Sequence, residues 1–105
     1  MDRITVKKII ETNLKKGKLA RMFVHDKTLE TYNKVIDSID NKYKLKVCLN
    51  LSQLDTPTIL VGNCYSSYYP VFYCFNDKIY IHINSKTVIT SDVDEAIETI
   101  EKCFY

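Results

Sequence analysis

The sequence contains no tryptophan, and only two glycines, two prolines and two histidines among 105 residues. So little glycine and proline excludes a flexible Gly/Ser or Pro-rich linker, and the stretch "VGNCYSS" has one glycine and no G-K-[ST], which excludes a phosphate-cradling loop. The two histidines, His25 and His82, and four cysteines scattered without a C-x-x-C pair offer no metal-ligand spacing, so no metal or cofactor is expected. No apolar run approaches the length of a membrane span. The N-terminal "MDRITVKKIIETNLKK" also lacks the apolar stretch and small-residue cleavage site of a signal peptide. These absences lead to the expectation of a cytoplasmic chain without membrane contact, with Cys48, Cys64, Cys74 and Cys103 as reduced thiols.

What is present is globular: 46% hydrophobic and 27% charged residues, with the apolar ones in short periodic groups along the whole length. A chain of this size forms one domain, residues 1–105, and folding hides roughly 60 to 68% of its unfolded surface. Lysine far outnumbers arginine, and Ile, Asn and Tyr are abundant, the usage of an AT-rich coding genome. That composition points to a low-GC microbe, a phage or a virus.

Net charge is only +2, but the two ends differ. Residues 1–21 carry seven bases against two acids, and residues 90–105 carry five acids against one base. Lys8, Lys15, Lys16, Lys18 and Arg21 line the basic end and can neutralise phosphates, although lysines also cluster on helix faces for solubility alone. The acids Asp94, Glu95 and Glu98 fall at helical spacing, as solvated faces routinely do.

Val6, Ile9, Ile10 and Leu14 form a helical stripe that ends before Gly17, predicting a helix over 5–16. "KLARMFVH" suits either helix or strand and is read as a strand. Leu29, Tyr32, Val35, Ile36, Ile39 and Tyr43 predict a second helix over 27–41, capped by Asp26 or Thr28. "KLKVCLNL" alternates strictly, which predicts a strand with Leu45, Val47, Leu49 and Leu51 on its buried side. Thr58 to Val61 reads as a more fully buried strand, Lys86 to Ile89 as a short one. Ser91 is read as the cap of a final helix with the stripe Val93, Ala96, Ile97, Ile100 and Phe104.

The stretch "VFYCFNDKIYIHIN" predicts a hairpin with a two-residue type I′ turn at Asn76-Asp77, which sets Tyr73 opposite Tyr80 and Val71 opposite His82. One face then holds Phe72, Cys74, Ile79 and Ile81; the other holds Val71, Tyr73, Phe75, Lys78, Tyr80 and His82. The whole chain reads as α+β: a small antiparallel sheet of three to five strands, with helices near the N-terminus, middle and C-terminus packed mainly on one face.

No catalytic constellation stands out. Cys64 after the glycine of "GNCYSS" is the one thiol placed where a nucleophile would sit, a Cys-dependent enzyme reading with no base in a recognisable motif beside it. The favoured expectation is a non-enzymatic binding protein, an inhibitor or adaptor of viral or mobile-element type. Its contact surface would be Tyr65, Tyr68, Tyr69, Tyr73, Tyr80 and His82, turned toward a protein partner or a second copy in a homodimer. An edge strand of the hairpin could also pair with its own copy. The alternative is a nucleic-acid binder using the basic N-terminal helix together with the sheet-face tyrosines.

Overall fold

The computed structural model of the chain describes residues 2–16, 23–49, 55–63 and 70–104. Two helices, α1 (Arg3–Lys16) and α2 (His25–Ser38), precede five strands: β1 (Lys44–Cys48), β2 (Thr58–Gly62), β3 (Val71–Phe75), β4 (Lys78–Ile83) and β5 (Lys86–Thr90). Helix α3 (Val93–Glu101) follows and runs into a short 3₁₀ turn, Lys102–Phe104. The strands form one antiparallel meander in chain order, and the fold is α+β as the periodicities predict.

The apolar stripes of the three helices turn mainly inward. Val6, Ile10 and Leu14 of α1, Tyr32, Val35 and Ile36 of α2, and Ala96 and Ile100 of α3 join Leu45, Ile59, Val61, Phe72, Cys74, Ile79 and Ile81 of the sheet in one buried cluster. Those sheet residues share one parity, because the register pairs Val47 with Ile59, Ile59 with Phe72 and Phe72 with Ile81. All three helices therefore lie on one side of the sheet.

Polar ties hold α2 in place. The Thr28 hydroxyl accepts from the Asn76 amide at 2.8 Å, and the Thr31 hydroxyl lies 2.7 Å from the Asn76 carbonyl, sharing its proton with the Lys27 carbonyl. Tyr32, fully buried, donates its phenolic proton to the Pro57 carbonyl. Arg3 of α1 donates to the carbonyl of Ile36, one of the acceptors left open where α2 ends, and to that of Asp40 in the turn beyond it.

Several boundaries differ from the sequence reading. Helix α2 begins at His25, with Val24 at the cap position and no side-chain cap, so Asp26 lies inside the first turn rather than before it. The cap of α3 is Asp92, one residue beyond Ser91; its carboxylate accepts from the amides of Asp94 and Glu95. Most of "KLARMFVH" lies outside the described residues, and its last three, Phe23 to His25, form a turn and a helix start instead of a strand. Strand β1 stops at Cys48, where pairing with Thr58 ends, so Leu49 is 51% exposed rather than buried. In the hairpin only Asn76 has positive φ, 56°, so the turn is not type I′, yet the pairing is the predicted one from Phe75↔Lys78 to Val71↔His82.

Truncating Phe72, fully buried beside the Tyr32 ring at 6.4 Å between centroids, is expected to cost about 3–5 kcal/mol in denaturant unfolding. Ile4→Ala, on the 70% exposed side chain one turn before Lys8, should change stability by less than about 0.5 kcal/mol in the same assay.

Candidate functional site

The side of the sheet opposite the helices carries its own pattern. One row crosses all five strands, Lys46, Leu60, Val71, His82 and Thr87, each paired with the next. A second row runs Tyr73, Tyr80, Ile89. Leu60, Val71, Tyr80 and His82 are half-buried and Ile89 is 57% exposed, the accessibility of a face over which none of the described helices packs. Lys44 and Lys46 of β1 and Lys78 of β4 share this side, and no strand contributes an Asp or Glu to it.

Three rings form a ladder at its centre. Tyr73 stacks on Tyr80 at 5.0 Å between centroids with planes 9° apart, and on His82 at 5.4 Å and 28°. The first pair is directly cross-strand and the second diagonal, the two distances at which neighbouring strands bring aromatic side chains together. Tyr73, flanked by both neighbours, is only 6% exposed yet stands outside the buried cluster that contains the helices. His82 is fixed by Thr87, whose hydroxyl lies 3.1 Å from Nδ1.

Of the residues expected to make a contact surface, Tyr73, Tyr80 and His82 are brought together here. Tyr65, Tyr68 and Tyr69 lie outside the described residues, as do Cys64, Lys18 and Arg21. Phe75, which the register also assigns to this side, is half-buried and packs against the core at the end of β3, so it leaves the face. The hairpin lies in the middle of the sheet with both strands paired on each side, so it offers no free edge for a second copy; the edges are β1 and β5.

The basic helix stands elsewhere. Lys8, Lys15 and Lys16 project from α1 in the helical layer, on the opposite side of the sheet from the tyrosines. Some of the N-terminal charge is already engaged: Lys7 binds Asp37 of α2, Lys15 pairs with Glu11 at 3.0 Å, and Arg3 holds the end of α2. Lys8 and Lys16 instead flank a shallow groove of about 320 Å³ lined by Ile9, Thr12 and Leu49. The lysines that do accompany the rings, Lys44 and Lys46, were visible in the sequence as the wet side of the first strand; only the strand order reveals that this side is shared with the hairpin.

Among the described residues no group of three or more His, Cys, Asp or Glu side chains converges as a metal-ligand set, and no helix is long and apolar enough to cross a membrane. Comparison of the chain with protein-family models, with curated proteins and with solved structures finds no match in any of the three.

Burial raises the pKa of the Tyr73 phenol, and a neighbouring Tyr80 phenolate would raise it further; burial raises that of Tyr32 well above the ordinary value of 10.0. The folded state therefore holds protons that the unfolded chain releases near pH 10, and the associated stability, complete below that pH, is lost as pH rises through the folded pKa values. Denaturant midpoints should fall in alkaline solution, and Tyr73→Phe should flatten that fall while leaving the neutral midpoint nearly unchanged.

Proposed function

We propose that this chain is a non-enzymatic binding protein that docks on another protein through the ring ladder and the apolar row beside it, as an inhibitor or adaptor of the kind that viruses and mobile elements encode. The observation that supports this is the ladder itself, an aromatic surface on the side of the sheet opposite the described helices, flanked by Leu60, Val71 and Ile89. Tyrosine and apolar groups at the centre with lysine at the margin is the composition of an interface core and rim.

Charge favours a foreign protein over a second copy on this face. Lys44, Lys46 and Lys78 with no strand carboxylate would meet their own like in a face-to-face homodimer, and like-charge juxtaposition across an interface costs several kcal/mol. A partner with acidic residues around an apolar centre meets the same surface favourably.

The lysines also give a nucleic-acid reading some support, but the rings argue against base stacking. Single-strand binders leave aromatic faces free for bases, whereas Tyr73 stacks on both Tyr80 and His82 and is only 6% exposed, so the central ring offers little surface to a base. The basic face of α1 adds nothing there, since it lies in the other layer.

Cross-linking in cells with the wild-type chain and with Tyr80→Ala, followed by mass spectrometry, should identify a protein captured by the first and lost with the second. Affinity measured on that protein should fall by about 2 kcal/mol or more for Tyr80→Ala, and stay unchanged for the double substitution Lys15→Glu, Lys16→Glu. Tight binding of single-stranded oligonucleotides that weakens steeply with salt would instead assign the face to nucleic acid.

A further inference from the structure

The two edges of the sheet are not equally protected. Strand β1 carries Lys44 and Lys46, both exposed on the outer side, the charged decoration that blunts an edge against pairing. Strand β5, Lys86–Thr90, has no proline, no bulge in its pairing with β4 and no charge between its ends; Thr87 and the exposed Ile89 face the outer side and Val88 the helical side. Its only charged residue is Lys86 at the start, and immediately beyond its end come Asp92, Asp94 and Glu95.

We infer that β5 pairs antiparallel with β5 of a second copy, joining two five-stranded sheets into one continuous sheet. The charges select both the occupant and the direction. With the two-fold axis at Val88, Lys86 of one copy stands opposite Thr90 of the other, and the side chains of both lie on the helical side of the sheet, since Lys86 pairs with Ile83 and Thr90 with Ile79. The Thr90 hydroxyl donates to the Glu95 carboxylate at 3.2 Å, so an acid already stands over the position that Lys86 would reach. Lys86 has no ion-pair partner among the described residues, and Glu95 pairs with no base there. The two-fold axis makes this contact twice, whereas a parallel pairing would bring Lys86 against Lys86.

This association is independent of the partner proposed for the tyrosine face, and compatible with it. Thr87 and Ile89 of the two copies would meet at the seam on the outer side, so two ring ladders would share one extended surface.

The test is solution mass by light scattering across a concentration series, with charge-swap variants. The wild type should pass from one to two copies; Lys86→Glu and Glu95→Lys should each weaken association by about tenfold, and the two together should restore it. Asp92 still caps α3 in all three variants, so their helices should be intact by circular dichroism. Hydrogen exchange on the unmodified protein gives a second readout: β5 amides should exchange about tenfold more slowly at high concentration than at low, with β1 amides unaffected. A single-copy mass at every concentration, a dimer indifferent to both single substitutions, or concentration-dependent protection at β1 in place of β5 would overturn the inference.

Discussion

The arrangement depends on how α2 is anchored to the sheet. Its first two turns supply the Thr28 and Thr31 hydroxyls that hold both backbone groups of Asn76, and Tyr32 in the next position reaches the carbonyl just before β2. These are buried or half-buried polar contacts, and losing one partner leaves the other unsatisfied at a cost of about 1–3 kcal/mol. They fix more than a helix. Asn76 begins the hairpin turn, the turn sets the pairing of β3 with β4, and that pairing decides that Tyr73, Tyr80 and His82 share a side. A register slip of one residue would turn the rings into the core and Phe72 and Cys74 out of it.

Once α2 is placed, the other helices follow on the same side. Arg3 and Lys7 bind the far end of α2, and the stripes of α1 and α3 complete one buried cluster against one parity of the strands. The three helices among the described residues all lie in one layer, and none of them covers the second sheet face. The basic N-terminus thereby acquires an internal use: part of a charge layout that looks like a ligand-binding stripe is the cement between α1 and α2.

This explains what the sequence could and could not reveal. Helical stripes and strand alternation are local, and Val6-Ile10-Leu14, Tyr32-Val35-Ile36 and the hairpin were legible because three- to four-residue and two-residue periods are written in adjacent positions. The hairpin register survived an incorrect turn type, since Thr28 and Thr31, some forty-five residues away in the chain, hold the turn whatever its dihedral class. Caps were missed where they depend on one backbone angle: Ser91 and Asp92 are adjacent and both suitable, and geometry chose Asp92. The composition of the open face was only half legible. That Lys44 and Lys46 accompany the tyrosines follows from the order of strands across the sheet, a long-range fact with no local signature.

The ladder has a physical property that bears on any role in binding. An exposed side chain that must be immobilised by a partner subtracts roughly 0.5–1.5 kcal/mol from affinity. Tyr73 stacks on two rings, and His82 on Tyr73 with a contact to the Thr87 hydroxyl, so much of that ordering is already done by folding. The surrounding lysines are the reverse case, long solvated chains that would lose freedom on contact. For the partner proposed above, such a surface would offer an ordered aromatic centre, with lysine charge at its margin to steer acidic groups. The same rigidity limits the face. Rings stacked on one another cannot spread to admit a planar ligand between them without losing the contacts that hold them, so the ladder suits a surface that packs over its edges better than a group that intercalates.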